Sequence, residues 1–148
     1  MIIETLKTLF SRDLEKLKQE IELYNNEEKL WYTEGGITNS AGNLCLHLVG
    51  NLSHFIGAIL GKSDYVRDRP AEFASKDIPK AKLIAKIEET IVVVNNTLSN
   101  LPESELDTEF PIVVFDKPMT TAYFLVHLAM HLDYHLGQIN YHRRLLDN

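Results

Sequence analysis

From Gly35 to Gly61 the chain carries no Asp, Glu, Lys or Arg. No other feature limits the fold so strongly. Asn39, Asn43, His47, Gly50, Asn51, Ser53, His54 and Gly57 interrupt the stretch too often for a membrane span. A helix without charges in a water-soluble chain must instead be covered on most of its circumference by other helices. Its polar residues then need partners inside the protein, which makes His47 and His54 candidates for an internal role.

Three further segments supply that cover. Ile3, Leu6, Phe10, Leu14, Leu17, Ile21 and Tyr24 alternate by three and four, which predicts an amphipathic helix ended by Asn25-Asn26. Asn39 or Ser40 caps the charge-free helix, which runs to about Leu60. Gly61 to Ile78 reads as a loop, and Asp77 and Pro79 mark the start of a helix whose Leu83, Ile87, Ile91, Val94 and Leu98 share a face. Leu101-Pro102 closes it. Phe110 to Phe115 reads either as a short extended strand or as a segment packed on the bundle. The last helix begins near Met119 to Thr121 and continues to about Leu146. The expected fold is all-α: a four-helix bundle with long inter-helix loops, spanning residues 1–148 as a single domain.

The composition narrows the function classes. A net charge of −6 without a basic stripe argues against nucleic acid, and no basic amphipathic helix suggests a membrane surface. One cysteine, Cys45, suits a reducing compartment and reads as a buried small hydrophobe rather than a ligand. The first residues lack the apolar run of a signal peptide, so the expected location is cytoplasmic.

Six histidines remain, confined to two segments: His47 and His54, then His127, His131, His135 and His142. A four-residue spacing stacks side chains on one helix face about 6 Å apart, so His127 with His131, or His131 with His135, could share a metal. His127 and His135 are too far apart, at about 12 Å, and only one of His47 and His54 can join them. His142 lies about 10 Å beyond His135 and is expected at the surface or behind a ligand. Three imidazoles suit zinc, nickel, copper or iron(II) better than magnesium or calcium. Paired Glu-x-x-His motifs and HExxH are absent, which removes a di-iron bundle and that class of metalloprotease.

Three blocks resemble a known family. They are Asn39-Ser40 followed by His47-Leu48-Val49-Gly50-Asn51, then Arg67-Asp68-Arg69 with Glu72-Phe73, and finally His131-Leu-Asp-Tyr-His135-Leu-Gly137-Gln138-Ile139. Their order and spacing resemble the DinB/YfiT-like superfamily of metalloenzymes, and most closely its DUF1572 branch. Pro70 stands where the branch usually has an acidic residue. The resemblance implies a divalent metal, zinc or nickel, held by His47, His131 and His135 with its other positions open.

It also implies a small-molecule substrate, a homodimer, and a thiol-dependent S-transferase or a hydrolase. The cofactor in the first case would be a low-molecular-weight thiol such as bacillithiol. A non-catalytic metal-binding or stress-associated interaction module is the alternative. Gly137 is expected to permit close helix approach and Gln138 to orient a ligand or a water. His54 and His127 read as core histidines, either becoming a general base if it reaches the cleft. Arg67 and Arg69 are expected to pin the long loop through Asp68 or Glu72, with recognition of an anionic substrate at the mouth as the alternative. Leu9 and Leu23, off the main stripe of the first helix, offer a dimer surface. A cleft at the metal is expected under loops 61–78 and 102–118, lined by Asn51, His54 or His127.

Overall fold

The computed structural model describes residues 2–148. Four long helices carry the fold: α1 Ile2–Glu22, α2 Ala41–Leu52, α4 Lys80–Ser99 and α5 Thr121–Leu146, with a short α3 at Arg69–Ala74. Helix α2 continues without a break into a π-helical stretch, Ser53–Leu60. Among the described residues there is no β-strand; Glu109 and Thr120 form one isolated antiparallel bridge. Phe110 is therefore a packed segment's buried anchor, its N–H donating to the Met119 carbonyl at 2.9 Å, and not part of a strand.

The order of the helices around the bundle explains the long connections. Helices α1 and α2 each pack on both α4 and α5, so α1 lies diagonally opposite α2, and α4 opposite α5. The α1–α2 and α4–α5 connections must each cross that diagonal, which a short turn cannot do. The first crosses through a 3₁₀ turn at Glu27–Trp31, and the second through another at Glu103–Asp107. The α2–α4 connection holds α3, which the sequence reading placed inside a loop. Asp68 caps it by accepting from the Ala71 N–H at 3.2 Å, and Pro70 occupies its first turn, where no intrahelical donor is needed.

Each residue from Ser40 to Leu52 is buried, which accounts for the charge-free segment. Ala41–Leu60 is long and apolar enough to cross a membrane by composition, yet 67% of its most apolar window is buried within the chain. Ser40 starts it, its hydroxyl oxygen accepting from the Asn43 N–H at 3.2 Å. Leu14, Leu17, Ile21, Leu48, Leu52, Leu83, Ile87, Leu128 and Leu132 form the bundle's core, drawn from all four long helices. Cys45 is fully buried among them, and burial pushes its thiol up to about 12. It is a packing residue at neutral pH.

Candidate metal centre

Two facing helices bring three of the six histidines to one point. His47 comes from α2, His131 and His135 from successive turns of α5. Nε2 of His131 lies 3.2 Å from Nε2 of His47 and 3.1 Å from Nε2 of His135. Donor nitrogens of all three fall within 4.8 Å of one another. Three imidazoles each about 2.1 Å from a shared ion subtend edges of roughly 3.0–3.4 Å, so the spacing fits a divalent cation.

The outward nitrogens decide which way each ring presents its lone pair. His47 Nδ1–H donates to Glu72 Oε1 at 3.0 Å, which leaves the Nε2 lone pair facing the centre. His135 Nδ1–H donates to Gln138 Oε1 at 2.7 Å with the same consequence. Gln138 thus orients the His135 ring. His131 Nδ1 is buried and has no hydrogen-bond partner among the described residues. Burial is the first cause holding His47 below the ordinary imidazole value, against the opposing pull of Glu72. Burial and then the neighbouring His135 and His47 push His131 down to about 4. Both rings are therefore neutral at pH 7, the form in which an imidazole ligates.

Glu72 is the centre's hidden anchor. It is buried on α3 and accepts from His47, from Arg67 Nε at 2.9 Å and from Arg67 Nη2 at 3.0 Å. The expected Arg67–Glu72 pin is present, but its carboxylate also fixes the His47 ring, which the sequence reading missed. Arg69 instead lies over the Phe73 ring at 5.3 Å. Gly50 makes the arrangement possible: a Cβ there would overlap the Glu72 carboxyl group. Asn43 holds the same segment from α2, its amide donating to the carbonyls of Glu72 at 2.9 Å and Ser75 at 2.8 Å. The glycine one residue before Asn51 and the lone acid of Glu72-Phe73 were the available signals.

The other expectations divide. His54 packs edge-on against Phe55 and is not part of the cluster. The π-helical stretch begins one residue before it and breaks the seven-residue register with His47. His127 stacks on Phe124 and against Phe115, with its centroid 6.3 Å from His131. His142 is not at the surface: it is 3% exposed, with Tyr24 and Tyr32 as partners. Gly137 meets nothing within this chain, so it serves no helix approach here.

The expected cleft is displaced as well. A cavity of ≈ 460 Å³ with His135 in its wall is bounded by Gly36–Asn39 and the C-terminal half of α5, not by loops 61–78 and 102–118. The second of those loops forms a separate cavity with Tyr123, away from all three histidines.

The family described as "Protein of unknown function (DUF1572)" matches residues 2–148. No curated protein matches the chain.

Proposed function

The chain belongs to the DUF1572 family, and from the site it carries we propose a small metal-dependent enzyme of the DinB/YfiT-like type, acting on a small-molecule electrophile at a three-His centre. One observation carries the reading: three Nε2 atoms converge while the Nδ1 atoms of His47 and His135 are held outward by Glu72 and Gln138. Zinc or nickel held there would supply a Lewis acid that lowers the pKa of a thiol or a water.

The residues of the chain do the rest. Glu72 keeps the His47 lone pair inward and strengthens it as a donor, and Arg67 fixes the Glu72 carboxyl group in place. His131 and His135 are half-buried, so a small molecule can approach from their side, while His47 closes the other. Three protein donors leave positions for it. S-transfer is the better of the two reactions. The cavity beside His135 holds no carboxylate to act as a general base, and a thiol with an ordinary pKa near 8.5 needs less help than a water. A low-molecular-weight thiol such as bacillithiol fits that role.

The setting we propose is a cytoplasmic homodimer. Leu23 is exposed and available for it, whereas Leu9 is half-buried.

Protein purified without a metal-affinity tag should contain about one divalent metal per chain by elemental analysis. Because burial holds His47 below the ordinary imidazole value and His131 at about 4, binding should outlast the ordinary imidazole titration near pH 6.5. It should weaken only as the pH falls further, when protons compete for the rings. Bacillithiol or glutathione should speed consumption of an electrophile only in the metal-loaded protein. Stoichiometric metal without thiol or hydrolytic turnover would identify a binding module instead. Protein that takes up no metal would overturn the centre itself.

A further inference from the structure

The cavity beside His135 differs in chemistry from the centre it adjoins. No Asp, Glu, Lys or Arg lines it. Tyr134 and Tyr141 stand on its α5 wall, two turns apart and both more than 60% exposed, with Leu145 one turn further on. Leu44 and Ile37 face them from α2 and the 36–39 segment. His142 contributes only carbon, because Tyr24 O–H occupies its Nδ1 and its Nε2–H donates to the Tyr32 carbonyl. Arg144 lies over the Tyr141 ring at 4.9 Å and donates to Asn140 Oδ1 at 3.3 Å.

One polar group points the other way. His135 Nδ1–H takes the Gln138 carbonyl oxygen, so the two N–H donors of the Gln138 amide remain. They have no partner among the described residues, and Gln138 lines the cavity. A site with aromatic walls, no charge and one fixed donor group selects its ligand narrowly. Burying an ion there would cost its hydration with no charged lining residue to offset it. A neutral group with an acceptor loses nothing it does not regain.

We propose that this cavity seats the body of an uncharged substrate: an aromatic or branched apolar group bearing a hydrogen-bond acceptor, packed on Tyr134, Tyr141 and Leu145 and held by Gln138. Its role as the substrate's seat rests on the three-His reading. Its ligand preference rests on the cavity walls alone. His135 is shared by the two, its Nδ1 edge turned to Gln138 and the cavity wall and its Nε2 edge to the centre.

The probes are 4-nitroacetophenone and 4-nitrobenzoate, nearly equal in size and differing in charge. Each is titrated into metal-loaded and chelator-treated protein, with binding read by NMR. The ketone should shift Tyr134, Tyr141 and Leu145 resonances and, in the chelator-treated protein, where no metal can coordinate the carboxylate, bind at least tenfold tighter than the benzoate. Tyr141→Ala should weaken it at least tenfold and Gln138→Leu severalfold. Both side chains are exposed, and circular dichroism checks that the variants fold. Equal or tighter binding of the benzoate in the chelator-treated protein, unchanged affinity in Tyr141→Ala, or shifts confined to other residues would overturn the proposal. Ketone binding in a protein that never takes up metal would sink the enzymatic reading and leave the cavity's preference standing. Metal uptake without ketone binding would do the reverse.

Discussion

His131 and His142 lie on the same helix, three turns apart, and burial is the first cause lowering the pKa of each. They are wired in opposite senses. Burial also raises the Tyr24 hydroxyl, so it stays protonated and donates to His142 Nδ1 at 2.7 Å. His142 Nε2–H then donates to the Tyr32 carbonyl at 2.9 Å. Both nitrogens are consumed, in the Nε2–H tautomer. At the centre, Glu72 and Gln138 impose the Nδ1–H tautomer on His47 and His135, and the Nε2 atoms are turned upon one another. A histidine whose two nitrogens are both closed by the chain holds a fold together. One whose partners fix a single nitrogen is set to receive something at the other.

The largest effect that would break this contrast comes from exchanging the two positions' roles in mutants. His131→Ala should abolish stoichiometric metal binding, measured by elemental analysis, with helical content retained. The buried Nδ1 without a partner goes with it, so the metal-free fold should lose little. His142→Phe should keep the metal and cost about 1–3 kcal/mol in chemical denaturation, because the Tyr32 carbonyl loses its partner and the Tyr24 hydroxyl keeps only the longer contact to the Ile139 carbonyl at 3.5 Å. If His142→Phe releases the metal, or His131→Ala retains it, the division between the two is wrong.

A smaller effect tests how the centre's tautomer is imposed. Glu72→Gln keeps an oxygen for His47 Nδ1–H but removes the charge that Arg67 shares. Metal affinity should fall about ten- to a hundredfold in competition with a chromogenic chelator, with stoichiometry kept at high metal. An unchanged affinity would reduce Glu72 to a pin for its loop.

How far the sequence reaches follows the same line. The bundle was legible because the Gly35–Gly61 segment and the α1 stripe report burial directly, and burial is local in its pattern. His131 and His135 were legible because a four-residue offset is fixed by helix geometry. Selecting His47 over His54 and His135 over His127 took the family resemblance, since periodicity left both pairs open. Glu72 was named only as an ion-pair partner: its contact with His47 spans 25 residues and depends on α3, whose cap and proline were read as loop. His142 was misplaced because its partners, Tyr24 and Tyr32, come from the α1–α2 connection, which no offset along α5 can reveal. The cavity was misplaced because its far wall is a segment crossing the bundle's diagonal.

The smallest effect concerns the buried polar atoms left without partners. Among the described residues these are His131 Nδ1 and Asn51 Oδ1, and both belong to the half of the molecule that holds the centre. Asn51 is one turn beyond His47 on the same face of α2 and is only 7% exposed. An unpaired buried acceptor costs about 1–3 kcal/mol, and replacing it by an apolar group of similar shape recovers part of that. Asn51→Leu should therefore raise the stability of the metal-free protein by about 1 kcal/mol in urea titration, with metal stoichiometry unchanged. The Tyr24–His142 half offers no such gain, since its polar atoms are already paired. If Asn51→Leu instead destabilises the fold, Asn51 has a partner in solution. The centre's half would then be as fully wired as the other, and the lack of partners would no longer distinguish them.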